Sequence, residues 1–145
     1  MSQVNYFFED IKKCSYQLPN KAWIKLCFEK ETKKLGCINF IFCSDICLQK
    51  INKKYLQKSY FTDVISFKHT ISNAEKSEQG DVIFGDVFIS WERVDDNKSR
   101  YKTIFAEELR RVMIHGALHL MEYNDSSEKE KAIMTKKENT YINLK

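Results

Sequence analysis

His115-Gly-Ala-Leu-His119-Leu-Met-Glu-Tyr-Asn-Asp125 sits inside an otherwise apolar run. Two histidines four residues apart share one face of an α-helix, about 6 Å apart, so both imidazoles can converge on one ion. The chain has only 3 histidines, and burying two of them without partners would be costly. A catalytic zinc site takes three protein ligands and keeps a fourth position for water. Two residues compete for the third place. Glu122 would complete the set if the helix ran on, whereas Asp125 requires the helix to stop near residue 121 and the chain to turn back. Tyr-Asn-Asp-Ser-Ser after residue 122 is turn composition, which favours Asp125.

Working outward, Phe105, Leu109, Val112, Met113, Ala117 and Leu120 recur at helical spacing, with Ile114, Leu118 and Met121 filling a second stripe. This predicts a helix from Thr103 to about Met121, buried on most sides. Glu108 and Arg111 precede His115 on the metal-facing stripe and are candidates to support the ligands from behind. Ser127-x-x-Glu130 is a capping-box pattern that starts a last helix and again places a turn between 121 and 127.

The remaining chain reads as scaffold. Val4 to Phe8 forms a first strand. Pro19 opens a helix carrying Trp23, Leu26, Cys27 and Leu35, with Gly36 ending it. Ile38, Phe40 and Phe42 define a second strand. Ser44 or Asp45 caps a helix whose buried side holds Leu48, Ile51 and Tyr55. Val64 to Phe67 is a third strand, residues 69–80 a polar loop with His69 exposed, and Val82 to Ser90 a fourth strand in which Gly85 marks a bulge or a close approach. Ser90 caps a short helical piece, Trp91 to Asp95, and Asp95-Asp96-Asn97-Lys98 reads as a solvated linker. The expected architecture is one α+β domain over residues 1–145: a mixed sheet of about four strands packed with about five helices, the metal site lying at the end of a buried central helix.

The formal net charge is +4 over 145 residues, compatible with a nucleic-acid partner without demanding one. No apolar stretch approaches the ~20 residues needed to span a bilayer, and Glu9 and Asp10 close behind Phe7-Phe8 do not resemble a secretory signal, so a cytoplasmic location is expected. The 5 cysteines lack paired spacing and read as small buried hydrophobes; Cys43 and Cys47 have no second pair to complete a metal set.

His115-Gly-x-Leu-His119-Leu-x-x-Tyr-x-Asp125 resembles the signature of the YbeY family of metal-dependent, single-strand-specific endoribonucleases. Ile51-Asn-Lys-Lys-Tyr-Leu-x-x-x-Tyr-Phe-Thr-Asp-Val-Ile-Ser-Phe67 and Gly85-Asp-Val-Phe-Ile-Ser90 resemble two further family segments. The resemblance implies one zinc ion on His115, His119 and Asp125, with a metal-bound water as the catalytic group and no side-chain base assigned. Thr62, Asp63 and Ser66 are implied as substrate-cleft residues; helical position, apart from the resemblance, offers Arg111 as a residue behind the ligands and Glu122 as an alternative ligand. The implied substrate is single-stranded or ribosomal RNA and the implied partner the ribosome or its small subunit, in maturation of the small-subunit RNA 3′ end and ribosome quality control, with no membrane involved. Three departures stand out. Asp125 replaces the family's histidine ligand, an oxygen donor that zinc accepts; Glu122 replaces its glycine; and Leu56 replaces an arginine, so a phosphate-stabilising cation must come from elsewhere. A metal-dependent peptidase and a non-catalytic assembly factor with structural zinc are the rival readings. The peptidase would need a base other than Gly116, which occupies the place of the glutamate in His-Glu-x-x-His enzymes.

Overall fold

The alternating apolar residues of β2 (Lys34–Cys43) divide the molecule into two layers around one sheet. Ile38, Phe40 and Phe42 face the larger core, while Cys43 turns to a smaller cluster with Leu48 and Ile65, as period-two geometry requires. In the computed structural model, residues 2–13, 18–56, 62–69 and 82–144 are described. The sheet order is β1-β2-β4-β3, with β1 (Gln3–Phe8) and β4 (Val82–Ser90) parallel to β2, and β3 (Val64–Lys68) antiparallel to β4. One helix, α2 (Asp45–Leu56), covers the smaller cluster. The larger core is built with α1 (Lys21–Lys30), α3 (Trp91–Arg100), α4 (Phe105–Leu120) and α5 (Glu128–Ile142). Among the described residues this is the single α+β domain that the sequence implied, with a mixed sheet of four strands and five helices where about four and about five were expected.

Four local expectations are corrected. The first helix ends at Lys30, capped by Glu31, because Thr32 takes a left-handed φ of 55°; Leu35 and Gly36 belong to β2. A Cβ on Gly36 would stand 2.5 Å from the Phe84 ring, so this glycine serves strand packing rather than helix termination. Pro19 precedes the cap of α1, which is Asn20, its side chain accepting from Ala22 N at 2.8 Å. The supposed linker at 95–98 is helical: α3 runs ten residues, burying Val94 and Asn97, with Lys98–Asp95 and Arg100–Asp96 pairs on its outer face. In α2, Tyr55 is exposed and the buried place is taken by Asn52.

Ser44 Oγ accepts from Cys47 N at 3.1 Å, settling the cap of α2 on Ser44. Gly85 marks a close approach: a Cβ there would meet Leu120 Cδ2 at 2.7 Å, so α4 lies directly on β4. Gly116 shows the same constraint, its notional Cβ falling 2.5 Å from Val87 Cγ1. The two histidines therefore ride on a helix pressed against the sheet. Cys27 and Cys43 are buried, Cys37 and Cys47 half-buried, and all four are free; Cys14 and the expected loop beyond His69 lie outside the described residues. His69 itself is exposed and meets Asp86 Oδ2 at 3.0 Å. Among the described residues, no helix is long and apolar enough to cross a membrane.

Candidate metal centre

α4 stops because the chain after Leu120 folds back on its own last turn. Glu122 N donates to His119 O and Tyr123 N to Leu118 O, both at 3.0 Å, the paired bonds of a helix end closed by a left-handed residue. Glu122 takes that left-handed place with φ 75°. The reversal returns Asp125 to the helix. Its Oδ2 lies 3.3 Å from His115 Nε2 and 3.5 Å from His119 Nε2, and the two nitrogens are 3.0 Å apart.

Those spacings bear on a metal. Zinc with ~2.0–2.1 Å bonds in a tetrahedral shell holds its ligand atoms ~3.3 Å from one another. The His-His-Asp triangle matches three corners of such a shell, and the donors are two imidazoles and a carboxylate, a set zinc accepts. Among the described residues these three form the one group of histidine, cysteine or acid side chains close enough to hold an ion. The residues fit the metal.

A second carboxylate fixes the first histidine. Glu138 Oε2 meets His115 Nδ1 at 2.6 Å; with the carboxylate oxygen accepting, Nδ1 carries the proton and the Nε2 lone pair faces the space that it shares with Asp125 and His119. Burial alone would lower the His115 pKa, but the hydrogen bond and charge of Glu138, with Asp63 and Asp125, raise it. Burial, and then the neighbouring His115, lower that of His119. Arg111 stands behind this pair, Nη1 at 3.6 Å from Glu138 Oε1 and 3.1 Å from Asn139 Oδ1, with Nε 3.6 Å from Glu108 Oε1.

The site is also moored from α1. Glu31 accepts from Tyr123 Oη, which lies in the reversal, from Lys137 Nζ at 2.9 Å and from Tyr141 Oη on α5. One carboxylate thus ties the segment carrying Asp125 to the helix carrying Glu138.

Other predicted residues separate into two groups. Asp63 lies beside the triad: with His115 and Asp125 it lines both of two clefts, of about 550 and 500 Å³, which share these residues as a common wall. Burial raises its pKa against the opposing charge of His115. Thr62, Ser66 and Leu56 line the second cleft, and Ser66 Oγ donates to Gly116 O at 2.9 Å, pinning β3 to α4. Glu122 does not join. It is exposed and paired with Lys68 Nζ at 2.9 Å. Sequence reasoning missed Glu138, although a glutamate in line with the buried Met134, Tyr141 and Ile142 of α5 was the available signal, since buried acids are rarely left without partners.

The sheet, the covering helices and this cluster define a single-domain α+β protein with a metal-capable centre at the end of its central helix. The model of the family described as Endoribonuclease YbeY matches residues 6–144. The chain belongs to that family. It is 39% identical over 142 residues to Endoribonuclease YbeY of Christiangramia forsetii, covering 98% of this chain and 94% of the relative. With the Karelsulcia muelleri protein of the same name it shares 42% over 139 residues, covering 96% and 93%. A Thermotoga maritima protein solved in solution has the same fold, with a TM-score of 0.64 at 23% identity, over 96% of this chain and 86% of that one.

Proposed function

We propose that this protein is a zinc-dependent endoribonuclease that hydrolyses single-stranded RNA. Its place would be the maturation of the 3′ end of small-subunit ribosomal RNA and ribosome quality control, in contact with the ribosome or its small subunit in the cytoplasm. The observation that carries this reading is the His115, His119 and Asp125 triangle at the junction of two open clefts, in a chain belonging to an endoribonuclease family. Zinc, when bound, supplies Lewis acidity toward water or a phosphoryl oxygen.

The chain's own residues do the rest. His115 and His119 would present their Nε2 atoms to the ion, His115 with its ring oriented by Glu138 at Nδ1. Asp63, common to both clefts, is the carboxyl placed to exchange a proton with a group lying across the junction, and Asn97 Nδ2 donates to its Oδ2 at 3.4 Å. The described lining of the second cleft contains no lysine or arginine. An unpaired strand can bend into this junction; a rigid duplex cannot.

The rivals lose ground on geometry. A glutamate at 116, where zinc peptidases hold their base, would drive into Val87, whose Cγ1 is 2.5 Å from the notional Cβ. Glu122 points to Lys68 instead. A structural zinc would be closed by four protein ligands, and three are present among the described residues.

Metal-loaded protein should cut single-stranded ribosomal RNA fragments, leave duplex RNA and casein intact, and lose activity with a chelator or with His119→Ala. The reading is abandoned if ribonuclease-free, zinc-loaded protein cuts no ribosomal precursor faster than His119→Ala does.

A further inference from the structure

The larger cleft beside the triad has a chemistry that a phosphodiester backbone does not match. Asp63, Glu108, Asp125 and Glu138 all line it, while the guanidinium of Arg111 is already divided between Glu108 and Glu138 at 3.6 Å each. Such a wall repels phosphate and favours a neutral group rich in hydrogen-bond donors. One of these acids, although 3.6 Å from the Arg111 guanidinium, also keeps an acceptor without a hydrogen bond. Glu108 is 2% exposed, and its Oε1 has no hydrogen bond; a buried acceptor left in this state is stabilised by whatever donor reaches it. A second metal ion is a poor candidate, because the triad is the one ion-sized cluster among the described residues.

The cleft's size and rim narrow the choice. About 550 Å³ admits a nucleoside, and a strand whose phosphate lies at the triad must place an adjoining nucleoside there, since the two share His115 and Asp125 as a wall. Tyr101 lines the cleft while 63% exposed, as stacking platforms for unpaired bases are. Among the bases, guanine alone presents two adjacent donors, N1–H and the 2-amino group, that a carboxylate accepts together. Uracil would turn a carbonyl toward the acids.

We infer that this cleft is a base-binding subsite of the nuclease, selecting guanine next to the cut phosphate through Glu108 and stacking it on Tyr101. The inference rests on the endoribonuclease reading for the position of the strand. Burial pushes the Glu108 carboxyl up to about 7, so arrival of two donors would favour its ionised, accepting form.

The test measures binding of the full, zinc-loaded chain to fluorescent 2′-O-methyl pentanucleotides by anisotropy. The oligomer UUGUU should bind about tenfold more tightly than UUUUU. UUIUU, whose inosine keeps N1–H but lacks the 2-amino group, should fall between them, a comparison that leaves the protein unaltered. Glu108→Gln, verified as folded by circular dichroism, should bring UUGUU to within about twofold of UUUUU. Equal affinities for UUGUU and UUUUU, or a guanine preference that persists in folded Glu108→Gln, overturn the subsite. Cleavage of natural RNA is scored in parallel: guanine-selective binding without cleavage keeps the subsite and removes the nuclease reading, while cleavage without guanine preference does the reverse.

Discussion

Glu138 Oε2 and His115 Nδ1 are 2.6 Å apart, so a residue on the last helix determines which nitrogen the central helix offers to a metal. Glu138→Ala should weaken zinc binding about 10–100-fold, the usual effect of removing a carboxylate behind a ligating histidine. Glu138→Gln, whose amide oxygen still accepts the Nδ1 proton, should weaken it less. Competition against a fluorescent chelator measures both, and wild-type affinity in a folded Glu138→Ala protein contradicts the arrangement.

The triad makes a second, ranked prediction. The double change His115→Ala and His119→Ala should abolish stoichiometric zinc, because two of three donors go. Asp125→Ala should weaken binding more than Glu122→Ala, since Oδ2 of Asp125 is within 3.5 Å of both imidazoles while Glu122 faces Lys68. Elemental analysis after dialysis ranks the variants; a reversed order for the two acids would exclude Asp125 as the third ligand.

Glu122 has a backbone conformation suited to glycine. At φ 75° a side chain is strained, and glycine is the preferred residue where a helix closes in this way. Glu122→Gly should raise Tm by a few degrees with zinc affinity unchanged, and a fall in Tm would show that the Lys68 pair outweighs the strain.

Glu108 gives the protein a pH dependence of definite sign. Its carboxyl, normally at 4.5, is pushed up to about 7 by burial, so between those values the folded chain holds a proton that the unfolded chain has released. Stability contributed by Glu108 is therefore complete at low pH and is lost as pH rises through about 7, on the order of 1 kcal/mol per pH unit. Urea midpoints of metal-free wild type and Glu108→Gln should diverge from about pH 4.5 to 7, wild type falling, and keep a constant gap above. Parallel profiles would show that Glu108 ionises freely in the fold.

Both histidines, Asp125 and the alternation of β2 were legible because each follows a local period or a turn signal. What escaped was decided by distant neighbours. Leu35 and Gly36 look like a helix end until Phe84 and Val82 of β4 are alongside. The polar run at 95–98 looks like a linker until Asn97 is seen buried against the cleft and its charges paired along α3. Glu138 is 23 residues from the histidine it orients, and no spacing rule connects them. Arg111, one turn before His115, could be suspected from helical position, yet its guanidinium turns toward Glu138 and Asn139.

The mooring of Glu31 to Tyr123, Lys137 and Tyr141 spans up to 110 residues of sequence, and it sets a time as well as a place. During synthesis the sheet strands and both histidines are made before α5, and domains fold as their segments emerge. Until residues 128–142 have left the exit tunnel, His115 lacks its orienting carboxylate and the Asp125 reversal lacks half of its anchor. A chain whose last helix has not yet docked would therefore hold a metal weakly, and competence would arrive with the docking of that helix.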